Sequence, residues 1–162
     1  MRVSNTTTKT PSKLSGTDTN GVLTDVVVGT NLQLTGNVLN VSGSGFYFVA
    51  TKSIAGGIPN QLYNNLDLDL LGANIDKTLF RLTDRTANYT LTGIAGGTNG
   101  RHIVLFNVSS SNFKLEDEDT NSLAINRMIT LSGGAIATSG QGTAELVYDG
   151  TLQRWVIIAL RN

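Results

Sequence analysis

Turn signals recur along this chain too often for long helices to fit between them. Asn20-Gly21, Gly36-Asn37, Gly56-Gly57, Gly96-Gly97, Asn99-Gly100, Gly133-Gly134 and Asp149-Gly150 interrupt it, and such pairs supply the tight or left-handed backbone that ends regular structure. Between them lie short runs rich in Val, Ile, Leu, Phe and Thr. Ala, Glu and Lys never cluster at three-four spacing over a useful length, and only Thr120 to Met128 could hold a helical turn. Short β-favouring runs between dense turns predict an all-β chain whose main domain is a β-sandwich or jelly roll.

The chain divides into three zones. Residues 1–20 are polar and Thr-rich, with almost no apolar anchor. They are expected to be a flexible arm, or one ordered by docking onto a larger particle. Residues 21–45 carry Leu32-Gln33-Leu34 and Leu39-Asn40-Val41 around the Gly36-Asn37 turn. An isolated hairpin of this size is marginal in water. Three copies winding about one axis, with Leu32, Leu34, Leu39 and Val41 facing inward, would remedy that as a short intertwined β collar. A plain hairpin packed on the main domain is the alternative.

Residues 46–162 form the third zone. Leu66-Asp67-Leu68-Asp69-Leu70 alternates as a half-buried strand should; Leu79 to Leu82, Tyr89 to Leu91 and Phe113 to Glu116 look similar. Ile103-Val104-Leu105-Phe106 and Trp155 to Leu160 differ in being apolar on both faces. Strands of that kind need cover on both sides. One face can pack on an opposing sheet, which leaves the other to a partner chain or a folded-back loop.

Several function classes fall away on composition. Net charge is zero, with 12 basic and 12 acidic residues, and no basic stripe offers a nucleic-acid footprint. The absence of cysteine rules out disulfides, thiol nucleophiles and cysteine-ligated metals. The segment after Met1-Arg2 has no apolar core, so it does not read as a secretory signal. The longest apolar run, Trp155 to Leu160, is too short for a membrane-spanning helix. Charged residues make up 15% of the chain, against roughly a quarter in ordinary soluble proteins. Ser, Thr, Asn and Gly fill the difference, as suits a long-lived, particle-borne surface.

From Asn74 to Leu160 the order of short motifs resembles the C-terminal domain of bacteriophage tail-fibre and head-fibre proteins. The motifs are Leu79-Phe80-Arg81-Leu82-Thr83, Leu91-Thr92-Gly93-Ile94, the Gly96 to Arg101 turn and Ile103 to Val108. After these come Glu116 to Asp119 with Ser122, Asn126-Arg127, Leu146 to Asp149 and Arg154-Trp155. Residues 29–41 also resemble the collar repeats that join fibre shafts to such domains. The resemblance implies a homotrimeric virion appendage, made in the host cytoplasm and carried on the virion surface. Its N-terminal arm would attach to a capsid or tail protein, and its C-terminal domain would point outward toward host-surface glycan. The first 45 residues, fully extended, reach at most roughly 150 Å, which suits a head fibre, a capsid decoration subunit or a short tail fibre.

Candidate chemistry is sparse. His102 is the sole histidine, and no Gly-x-Ser-x-Gly elbow accompanies it; a structural hydrogen bond is the favoured reading, and no enzyme is expected. Clustered carboxylates can ligate calcium, which makes Glu116, Asp117 and Asp119 candidates. A solvated loop, or pairing with Arg127 or Arg101, is favoured over a metal. No cofactor is expected. Arg81, Arg127 and Arg154 read as structural ion-pairing residues. Trp155 reads as core, whereas Tyr63, among Asn60, Gln61, Asn64 and Asn65, is the aromatic candidate for stacking on a glycan. The four Asn-x-Ser/Thr sequences at Asn5, Asn40, Asn88 and Asn107 arise readily in a Thr-rich chain. The expected function is a non-enzymatic phage structural protein; the alternative is a monomeric carbohydrate-binding β-sandwich module of a secreted bacterial protein.

Overall fold

A computed structural model describes residues 48–162, Asn20, and the backbone of four short strands that precede them. The chain divides into two compact units, Met1–Phe46 and Tyr47–Asn162. In the first unit β1 (Leu14–Thr17) pairs antiparallel with β2 (Leu23–Val26). In the same way β3 (Leu32–Thr35) pairs with β4 (Val38–Val41), opposing Leu32 to Val41 and Leu34 to Leu39. Among the described residues each pair is a sheet of two strands. Strand pairing thus begins inside the segment expected to be an arm. The rest of residues 1–20, and the side chains of Leu32, Leu34, Leu39 and Val41, lie outside the described residues.

The second unit is almost entirely β, but it is not wound as a jelly roll. The chain alternates between two sheets. β5 (Val49–Gly56), β7 (Leu79–Arg85) and β9 (His102–Asn107) enter one sheet; β6 (Gln61–Tyr63), β8 (Tyr89–Leu91) and β10 (Phe113–Leu115) enter the other. Within each sheet these neighbours run parallel, so that Val49 pairs with Leu79, and Leu79 with Val104. Successive coils therefore stack as in a solenoid, and the crossover between parallel strands is a strand of the facing sheet where other folds place a helix. An isolated parallel bridge, Leu66 to Ile94, continues the stacking.

After the third coil the pattern changes. A single 3-10 turn, Ala124–Asn126, falls within the stretch expected to hold helical character. β11 (Met128–Ile129) pairs parallel with the final strand, β14 (Arg154–Arg161), while β12 (Ile136–Ala137) closes the smaller sheet antiparallel to β10. β13 (Gly142–Asp149) lies antiparallel between β9 and β14. The sheets have six and four strands, in the orders β11-β14-β13-β9-β7-β5 and β12-β10-β8-β6.

Inner rows from both sheets form one core. Phe80, Leu82, Ile103, Leu105, Leu146, Trp155 and Ile157 meet Tyr89, Leu91, Ile94, Phe113 and Leu115. Fully burying such a side chain is worth about 1.5–3 kcal/mol. Trp155 is fully buried, donates from Nε1 to the Ile94 carbonyl at 2.9 Å, and packs edge-on against Tyr148. Leu66, Leu68 and Leu70 are buried and Asp67 is exposed, as their alternation predicts, yet the segment forms no strand beyond the Leu66 bridge. Asp69, at φ 54°, turns the chain, and its Oδ2 accepts from the Ala73 N–H.

Arg85 is buried and has no carboxylate partner. Its guanidinium donates to Ile58 O, Ala87 O, Asn88 O, the Gln61 side chain and the Tyr63 hydroxyl, and it lies 5.5 and 5.4 Å from the Tyr63 and Tyr89 ring centroids. One side chain thereby clasps the first coil to the second. Arg85→Met is expected to cost about 3 kcal/mol, because it strands several buried acceptors; a denaturation midpoint within experimental error of the wild type would refute the clasp.

Tyr89 behaves in the opposite sense. Its hydroxyl is buried with no hydrogen-bond partner, and burial raises its pKa well above the ordinary tyrosine value. Tyr89→Phe is expected to stabilise the domain by about 1 kcal/mol. A raised folded-state pKa contributes stability that is intact below about pH 10 and is lost as the pH rises beyond it. The variant should therefore retain more of its stability than wild type in alkaline chemical denaturation.

Candidate functional site

The side chains of the larger sheet that point away from the core are unusual for a solvated surface. In β9, Ile103 and Leu105 are buried, while Val104 and Phe106 are half-exposed on the other side. In β14, Trp155 and Ile157 are buried while Val156 and Ile158 lie opposite, Ile158 at 52% exposure; the register irregularity there sets Ala159 opposite Glu145. Val49, on the edge strand, is 50% exposed. The two-faced apolar strands expected from sequence thus have one face in the core and one face largely open.

Two cross-strand rows organise this outer face. One runs Val49, Leu79, Val104, Glu145, Ala159; the next runs Thr51, Arg81, Phe106, Thr143, Arg161. Two adjoining depressions, of about 240 and 260 Å³, share Thr143 and Arg161. Val104 and Leu79 line the first; Phe106, Gln141 and Asn162 line the second. Gly142 is in phase with the core-facing residues of β13, and a Cβ there would lie 2.5 Å from the Arg161 carbonyl and 2.6 Å from Thr138 Cγ2.

Cations frame this trough. The Arg81 guanidinium lies 5.9 Å from the Phe106 ring centroid, a cation–π arrangement. Arg161 is exposed at the opposite end of the row. Among the described residues neither arginine forms an ion pair, so Arg81 departs from the ion-pairing role expected of it. Glu145, which lines the first depression, is bonded through Oε1 to His102 Nε2 at 2.8 Å. Gln141 donates to Val108 O and Asn162 accepts from the Ser139 N–H; among the described residues the Gln141 carbonyl and the Asn162 amide nitrogen have no partner.

The carboxylates proposed as calcium ligands point to separate partners. Glu116 pairs with Lys114, and Asp117 Oδ1 accepts from the N–H and hydroxyl of Thr130. Glu118 takes the Arg154 Nε, while Asp119 caps Asn121. Among the described residues no three acidic or histidine side chains are grouped to hold a metal ion. The expected alternative partners differ too. Arg127 donates to Ser122 O, and Arg101 to the carbonyls of Ile75, Asn74 and Lys77; the ion pair with this loop is made by Arg154.

Tyr63 is half-buried. Its hydroxyl donates toward Ile54 O and accepts from Arg85, and its ring meets Tyr89 edge-on at 6.0 Å. A ring held this way is part of the clasp, with the Arg85 guanidinium 5.5 Å from its centroid. Asn107 is buried, with its amide donating to Ser111 O and Gly140 O. The residues that frame the trough were not picked out from sequence, because Arg81, Phe106, Thr143 and Arg161 become neighbours only through strand register. The one available signal was the polar-side position of Phe106 in an apolar strand.

No family model matches the chain, and no curated protein matches it. The geometry of the trough and of the acidic loop is therefore the basis for any functional reading. Because each acidic-loop carboxylate is already engaged, adding millimolar calcium or a chelator should leave the melting temperature unchanged within about 1 °C. A calcium-dependent rise of several degrees would restore the metal reading.

Proposed function

We propose that this chain is a non-enzymatic structural subunit of a bacteriophage particle, a head fibre, capsid decoration protein or short tail fibre. Three copies associate through the N-terminal unit. The arm meets a capsid or tail protein, and the C-terminal domain faces outward, where it contacts host-surface glycan.

The supporting observation is the pair of isolated hairpins in the first unit. Each has two strands of four residues, and among the described residues neither pair is joined by a further strand. Sheets of that size bury too little to persist alone in water. Their register opposes Leu32 to Val41 and Leu34 to Leu39, an apolar set that two further copies would cover around a common axis. The non-enzymatic reading draws on His102, the sole histidine, whose described partner is Glu145 and not a nucleophile.

The open trough favours a second reading, a monomeric carbohydrate-binding module, since a shallow face with free polar groups needs no second copy to function. Light scattering separates the two. A mass of about three times 17.2 kDa supports the fibre subunit, and a well-folded species of 17.2 kDa removes it. In the trimer reading, Leu34→Lys combined with Leu39→Lys should bring the mass to that of one subunit while the C-terminal domain keeps its melting transition.

A further inference from the structure

We infer that the trough on the outer face of the larger sheet binds a carboxylate-bearing saccharide, with Arg81 and Arg161 as the anion-recognising groups and Phe106 as the apolar floor. This deepens the host-glycan part of the reading above and rests on it.

The first argument is charge without a partner. Arg81 and Arg161 occupy one cross-strand row with Phe106 and Thr143 between them. Neither guanidinium is ion-paired among the described residues. The other described arginines are engaged: Arg85 and Arg101 by backbone carbonyls, Arg127 by Ser122 O, and Arg154 by Glu118. Two free guanidinium forks beside a depression are suited to planar, two-point recognition of a carboxylate.

The second argument is the chemistry of the floor. Phe106 is half-buried, and the exposed Arg81 guanidinium lies 5.9 Å from its ring centroid. Thr143, the Gln141 carbonyl and the Asn162 amide nitrogen offer neutral donors and acceptors suited to hydroxyls. An apolar floor with a few convergent polar groups is the ordinary make-up of a small-ligand site. Among the residues lining the two depressions the one carboxylate is Glu145, which is bonded to His102. Three strand spacings, roughly 14 Å, separate the two arginine backbones, a span that a di- or trisaccharide can bridge with its acidic sugar against one fork.

The test is a titration of the full chain with a disaccharide of glucuronic acid and N-acetylglucosamine. Its neutral counterpart, with glucose in place of glucuronic acid, and a sulfated neutral disaccharide are run beside it. The acidic sugar should bind about tenfold tighter than the neutral one, the range for a charge-assisted hydrogen bond. Salt at about 0.5 M should remove most of that difference. Arg81→Gln and Arg161→Gln should each bring the acidic sugar toward the affinity of the neutral one, with Arg81→Lys intermediate, and all three should melt like wild type. Phe106→Leu should weaken both sugars. Equal affinity for acidic and neutral sugars, no saturable binding of the acidic one, or tighter binding of the sulfated sugar would each overturn the inference. Light scattering on the same samples separates its failure from that of the particle reading. A trimeric mass without binding sinks only the saccharide site, and a single-subunit mass with binding sinks only the particle.

Discussion

The C-terminal domain depends on one constraint: a single coil cannot make a core. β6, β8 and β10 are three residues each, and a strand that short has no stability alone. Parallel stacking solves this by placing the inner side chains of each coil against those of the next, so that Ala50, Phe80 and Leu105 form one continuous inner row. Stability then arises between neighbouring coils, as in repeat proteins. Contacts distant in sequence carry most of it, which predicts slow formation relative to a helical domain of this size.

Polar groups buried between the coils reinforce this arrangement. Arg85 reaches from the end of β7 to the first coil and satisfies acceptors on both sides of the Tyr63–Tyr89 pair. Farther along, Thr92, Ser122 and Asn126 are buried. Ser122 bonds Thr92 at 2.7 Å, and Asn65 Oδ1 accepts from Asn126 Nδ2 and the Leu123 N–H. These links join loops that no strand ladder connects. Buried polar groups are costly unless paired, so they favour one arrangement of coils over slipped alternatives. Where the stack ends, β5 carries a register irregularity after Ser53 and places Lys52 on the inner row beside Leu82, two devices that discourage a foreign strand from pairing there.

The outer face separates folding from use. Ile103, Leu105, Trp155 and Ile157 hold the sheets together, while their neighbours Val104, Phe106, Val156 and Ile158 are not needed for the core. Apolar residues kept on an open face beside unpaired arginines fit a contact surface better than a solvated wall.

Sequence alone determined the class. Dense Gly and Asn turns with no helical periodicity require a β chain, and the alternation at Leu66, Leu68 and Leu70 and the burial of Trp155 were legible because burial follows side-chain period. The direction of pairing was not legible. An alternating strand has the same pattern whether its neighbour runs parallel or antiparallel, so the expected jelly roll became a stack of parallel coils only once long-range register was known. The site followed the same rule. Tyr63 stood out for its polar neighbours, but Arg85, 22 positions later in the chain, claims its hydroxyl. Arg81, Phe106, Thr143 and Arg161 come from four strands, and only the tertiary pairing of those strands aligns them, because backbone hydrogen bonds between strands set which side chains stand side by side.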